Sequence, residues 1–235
     1  MPCHPHLNGP PAAIDVWLAA PEARSRFDAS SLCAAERAAW SAIRSERRRR
    51  DFEVSRALAG EVAPDADTRC SQTHSHGYAA LAAARHVAVG VDLERCVPRD
   101  GASLAATAFS AREVGFVAGQ AGDEARALAF YDLWVLKEAC AKALGRPLVE
   151  VLGGTDFSPW LRGASPTVPG PAEAAPWSAW VFAPRPDLRL AVFAAGATGA
   201  LEEPRLHEWP GAMPRPWRPL HRLAGAGADL WTRPS

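Results

Sequence analysis

The sequence predicts an α+β fold with antiparallel sheet. Short apolar runs of strand length come in adjacent pairs, and the segments between the pairs carry helical spacing. Their order is strand, helices, strand pair, helices, strand pair, which is not the alternation of a doubly wound parallel fold.

The first element is the apolar run at 14–19 (IDVWLA), of strand length. Residues 31–43 place Leu32, Trp40 and Ile43 at near-helical spacing, and a second helix is expected over 47–58, stopped by Gly60. Residues 78–84 and 87–93 are apolar with Arg85-His86 between them, and predict a hairpin. Ser110 opens a helix, and another is expected over 124–144. Residues 178–183 and 188–194 predict a second hairpin around Pro184-Arg185-Pro186-Asp187. Residues 1–13 and 201–235 are rich in Pro, Gly and Arg and predict ends with little regular structure. Trp209, Trp217 and Trp231 argue that parts of the tail dock on the body. Residues 163–176 predict a loop. The organisation expected is therefore an irregular start at 1–13, halves at 14–96 and 97–200 with a polar boundary over 96–103, and a Pro/Trp-rich tail at 201–235.

The chain has 235 residues, with 26 basic and 26 acidic side chains. Zero net charge argues against a dedicated nucleic-acid binder, although Arg47 to Arg50 form a dense basic run suited to a local phosphate site. Five cysteines at irregular spacing, none in Cys-x-x-Cys, argue against a disulfide framework or structural zinc and fit a cytoplasmic setting. The N-terminus carries no signal-peptide pattern, and no charge-free stretch of 18 apolar residues predicts a membrane span.

Four features carry chemistry. In Gly90-Val91-Asp92-Leu93-Glu94 the alternation of a strand puts Asp92 and Glu94 on one face, with Val91 and Leu93 on the other. Two carboxylates so placed suit Mg²⁺ or Mn²⁺, or are simply a solvated strand end. In Trp134-Val135-Leu136-Lys137-Glu138-Ala139, Glu138 and Lys142 share a helix face, with Lys137 rotated by ~100°. The helix is apolar over most of its circumference, so these charges need a partner or a metal. In Phe109-Ser110-Ala111-Arg112-Glu113-Val114, Ser110 reads as an N-cap and Glu113 as the partner in a capping box, with Phe109 and Val114 as the staple. The fourth feature, Thr73-His74-Ser75-His76, precedes the first hairpin.

Together and in this order, GVDLE at 90–94, FSARE at 109–113 and WVLKEA at 134–139 resemble the 4′-phosphopantetheinyl transferase superfamily of the Sfp type. THS at 73–75 looks like its Ser-His-Ser motif, with His74 lying 18 residues before Asp92. Asp51-Phe52-Glu53-Val54-Ser55-Arg56 is similar to its Glu/Asp-Phe-x-x-Gly-Arg helix. The resemblance covers residues 32–158. One departure is that no Gly-Lys-Pro loop lies between the second helix and the histidine motif.

The resemblance implies two similar α+β halves related by pseudo-twofold symmetry, with the active site in the cleft between them, in a chain able to act as a monomer. It implies transfer of the 4′-phosphopantetheine arm of coenzyme A to a serine of an acyl or peptidyl carrier protein. Asp92, Glu94 and Glu138 are the implied Mg²⁺ ligands, with Mn²⁺ an alternative. Glu113 or Glu138 is the implied base. Lys137 and Lys142 would neutralise phosphate, and His74, Arg56 and Arg48 would bind the nucleotide end. A non-catalytic coenzyme A or carrier-binding relative, and a metal-dependent phosphoester hydrolase, are the alternatives.

Overall fold

The computed structural model describes residues 13–62, 67–163, 176–196, 201–211, 214–215 and 217–226. The strands are β1 (Ile14–Ala19), β2 (Thr68–Ser75), β3 (Tyr78–Arg85), β4 (Ala88–Arg95), β5 (Pro176–Phe182), β6 (Leu188–Ala195), β7 (Arg205–Trp209), β8 (Pro214–Arg215) and β9 (His221–Ala226). The α-helices are α1 (Ala34–Ala42), α2 (Glu46–Val62), α3 (Gly101–Ala108), α4 (Ala111–Ala118), α5 (Gly122–Leu144), α6 (Leu148–Gly154) and α7 (Ser158–Leu161). The fold class is α+β.

The strands form two sheets, ordered β2-β3-β1-β7-β8 and β4-β6-β5-β9. They stack through one apolar core, to which Ile14, Val16 and Leu18 contribute from the first sheet and Val91, Leu93 and Leu190 from the second. Helix α2 covers the outer face of the first sheet through Val54 and Leu58. Helix α5 covers the outer face of the second through Leu136, Ala139 and Cys140. The result is four layers, helix on sheet on sheet on helix, each burying an apolar face its sequence periodicity supplies. Connectivity repeats: β1-α2-β2-β3 in the first sheet matches β4-α5-β5-β6 in the second, and in each the first strand lies antiparallel beside the last. Among the described residues, every pairing apart from the parallel β1–β7 pair is antiparallel.

Most expected elements are present, and the second expected hairpin is β5–β6. Residues 78–84 and 87–93 do not pair with each other. β3 lies between β2 and β1, while β4 pairs with β6, so the chain crosses from one sheet to the other after Arg85. The true turn is His76-Gly77, with φ of 52° and 87°, closing the β2–β3 hairpin at Ser75↔Tyr78. Two consecutive positive φ values are what a two-residue hairpin turn matching strand twist requires. Gly60 does not stop α2, which runs on to Val62; one interior Gly costs about 1 kcal/mol against Ala, too little to end a packed helix. The tail is not irregular throughout. Residues 205–209 extend the first sheet and 221–226 the second, with Leu206, Trp209 and Leu223 buried. The second sheet thus takes β4 from before residue 97, β5 and β6 from the 97–200 stretch, and β9 from the tail. The expected irregular start, most of the 163–176 loop and Trp231 lie outside the described residues. Among the described residues no helix is long and apolar enough to cross a membrane.

Candidate active site

The site is assembled where the edge strands β2 and β4 of the two sheets run side by side, with α5 packed across β4. Gly90 makes that packing possible. A Cβ there would stand 2.0 Å from the Ala139 carbonyl oxygen and 2.7 Å from the Ala143 nitrogen, so only glycine lets the helix backbone lie directly on the strand. Asp92 and Glu94 share Gly90's face of β4, as strand alternation requires, while Val91 and Leu93 are wholly buried in the inter-sheet core.

The seam between β2 and β4 is made by hydroxyls at alternate positions of β2. Ser71 Oγ accepts from the Val91 amide at 3.0 Å. Thr73 Oγ1 donates to Asp92 Oδ1 at 2.9 Å. Ser75 Oγ donates to Glu94 Oε2 at 2.8 Å and accepts from the Arg95 amide at 3.3 Å. Lys142 Nζ reaches back from α5 to Asp92 Oδ1 at 2.7 Å and to the Val91 carbonyl at 3.1 Å, and stands 3.7 Å from Glu138.

Ser55, Arg56, Gln72, Thr73, His74, Asp92, Glu94, Glu138 and Lys142 line a cleft of about 340 Å³. Its two sides come from different parts of the chain: α2 and β2 supply Arg56 and His74, while β4 and α5 supply the acids and Lys142. Arg56 is held by Glu36 at 3.0 Å and by the Phe52 ring beneath it, and its Nε is buried without a partner. Gln72 is fixed by donating to the Ser55 carbonyl at 2.6 Å. Buried Asp51 accepts from the Gly77 amide and ties α2 to the β2–β3 turn. Burial raises the pKa of Glu138 to about 7, reinforced by the negative charge of Asp92 and opposed by Lys142. Glu94 is also raised, first by burial.

Asp92 is 2% exposed, and its Oδ2 is buried without a hydrogen-bond partner. A bare carboxylate oxygen in that position is costly and fits a cation ligand. The donor set around it consists of carboxylate oxygens, the chemistry of Mg²⁺ or Mn²⁺. Among the described residues, no three His, Cys, Asp or Glu side chains stand together as a ready-made metal cage. That is compatible with Mg²⁺, which commonly takes one or two carboxylates and completes its octahedron with water and substrate phosphate.

The structure does not bring Glu113 and Lys137 to the cleft. Lys137 precedes Glu138 by one residue, and the ~100° step of the helix turns it away from the cleft. Both Lys137 and Glu113 are 0% exposed and pair with each other at 2.8 Å. Glu113 also accepts from the Phe157 amide at 3.0 Å and closes the capping box with Ser110. Lys137 donates to the carbonyls of Val151, Leu152 and Thr155. Burial pushes the Glu113 carboxyl up and the Lys137 amine down, each only partly offset by the other's charge. Arg48 lies about two turns before Arg56 on α2, exposed and outside the cleft lining. Thr73 and Ser75 were not foreseen as holding the acids. The signal was the hydroxyl at every second position of 71–75, one face of a strand. Burial raises the Cys96 and Cys140 thiols to about 12, so neither offers a thiolate nucleophile.

Residues 88–193 match the family described as the 4′-phosphopantetheinyl transferase superfamily. Over this segment, a little under half of its length, the chain is similar to that superfamily. The matched segment contains β4 and all of α5, hence Asp92, Glu94, Glu138 and Lys142. Phosphopantetheine transfer is the chemistry of the superfamily, with coenzyme A as its substrate. No curated protein matches the chain at a significant level.

Proposed function

We propose that this protein is a Mg²⁺-dependent holo-carrier-protein synthase of the Sfp type. It transfers the 4′-phosphopantetheine arm of coenzyme A to a serine of an acyl or peptidyl carrier protein and releases adenosine 3′,5′-bisphosphate. The observation that carries this reading is the cleft itself: Asp92, Glu94 and Glu138 line it together with Lys142, Arg56 and His74, so acids suited to a divalent cation share it with cations suited to phosphate.

In this reading Asp92 and Glu94 would hold Mg²⁺, with Glu138 beside them on the cleft wall and water and phosphate oxygens completing the shell, and the ion would neutralise charge on the pyrophosphate. Arg56 and His74 bind phosphate at the nucleotide end, and Lys142 neutralises charge near the reacting phosphorus. The serine oxygen forms a bond to the β-phosphorus of coenzyme A while the phosphoanhydride bond to the nucleotide breaks. Glu138 takes the serine proton, because it faces the cleft and Glu113 is sealed in the core. A chain carrying both sides of the cleft works as a monomer.

The test is arm transfer from coenzyme A to a panel of apo carrier proteins in Mg²⁺, followed by intact mass. Wild-type protein transfers the arm. Glu138→Gln loses about 10²–10⁴-fold in kcat, the range of a positioned base. Undiminished transfer by Glu138→Gln or Asp92→Ala overturns the site.

A further inference from the structure

We propose that Thr73 is a positioning residue for Asp92, fixing the plane of that carboxylate so that one oxygen remains free for the divalent cation. This rests on the reading of the cleft just given.

The geometry divides the two oxygens of Asp92 sharply. Oδ1 accepts from both Thr73 Oγ1 and Lys142 Nζ, at 2.9 and 2.7 Å, while Oδ2 is buried and bare. The terminal torsion of an aspartate is broad, so the plane is not set by the side chain's own rotamers. Lys142 alone cannot set it, because an ammonium on a flexible four-carbon stem can follow the oxygen as it turns. Thr73 can. It lies within β2, opposite Ala80 in the β2–β3 ladder, is 7% exposed, and has a β-branched side chain with restricted χ1. Its hydroxyl is therefore a fixed donor aimed at a single oxygen. Ser75 makes the corresponding bond to Glu94. Ser71, on the same face of β2, accepts from a backbone amide instead. Hydrogen bonds to ligating carboxylates of this kind are worth about 10–100-fold in metal affinity or activity.

The experiment measures Mn²⁺ affinity of the full-length protein by electron paramagnetic resonance with coenzyme A present, beside melting temperature and arm transfer. Thr73→Val weakens Mn²⁺ binding by about 10–100-fold, Thr73→Ser restores it, and Ser71→Ala leaves it unchanged. Thr73→Ala replaces the Val variant if that one packs poorly. Wild-type Mn²⁺ affinity in Thr73→Val, or an equal loss in Ser71→Ala, overturns the proposal. Wild-type protein that transfers no arm to any apo carrier, yet binds Mn²⁺ in a Thr73-dependent way, refutes the transferase reading and upholds the positioning role.

Discussion

Lys137→Met separates a structural from a catalytic role for the buried pair behind α5. The variant leaves Glu113 wholly buried without its 2.8 Å partner and strips a donor from three backbone carbonyls between Val151 and Thr155. Breaking a buried pair from one side costs about 3–5 kcal/mol. Unfolding entropy is about 2.1 cal/mol/K per residue, so 235 residues give about 0.5 kcal/mol per degree, and Tm falls by about 6–10 °C. Glu113→Gln keeps an acceptor for the capping box and loses the charge. Burial disfavours the charged form of both partners. The double variant Glu113→Gln/Lys137→Met should therefore lose less than the two singles together, by a coupling of about 1–3 kcal/mol. Thermal melts of the four proteins, with transfer assayed well below each Tm, complete the cycle. A melt of Lys137→Met within about 2 °C of wild type, a margin worth about 1 kcal/mol, rules out a structural role for the pair. Loss of transfer in Glu113→Gln at unchanged Tm would return Glu113 to the role of base.

Gly90→Ala drives a Cβ into the backbone of α5 at Ala139 and Ala143. It should cost about 1–3 kcal/mol or more of overpacking and reduce transfer more than its Tm loss explains, read by melts and kcat. Deleting residues 201–235 removes β7 and β9 and uncovers the edges of both sheets; the truncated chain should be cleaved by limited proteolysis under conditions where the full chain is resistant. His74→Ala and Arg56→Ala each remove a proposed phosphate contact. Each should raise the KM for coenzyme A by about 10–100-fold, the value of a hydrogen bond to a charged group, with a smaller change in kcat; an effect on kcat alone would contradict that assignment.

The elements legible in the sequence were those fixed by local rules. The capping box at Ser110 and Glu113, the helix through Glu138 and the shared strand face of Asp92 and Glu94 all follow from spacing, and each is present. Strand partnership was not legible in the same way. β3 is YAALAAAR, a nearly uniform run whose small side chains give no alternation to say which face is buried or which neighbour it takes. The decisive turn, His76-Gly77, was hidden behind a histidine motif. The strands of the tail were obscured by flanking Pro and Gly, because burial of Leu206, Trp209 and Leu223 is decided by the sheets they join.

The roles of adjacent motif residues were undecidable for a related reason. Lys137 and Glu138 are neighbours in sequence, and only the direction from which β4 and α4 approach α5 determines which charge meets the cleft. Gly90 supplies that direction. By letting β4 lie directly against Ala139 and Ala143, it turns Glu138 and Lys142 toward Asp92 and leaves Lys137 to face Glu113. A single missing Cβ thus couples the buried pair on one face of the helix to the cleft acids on another. Loss of catalysis in Gly90→Ala should accordingly track displacement of Glu138 and Lys142, while the Lys137–Glu113 contact, carried within α4 and α5, persists.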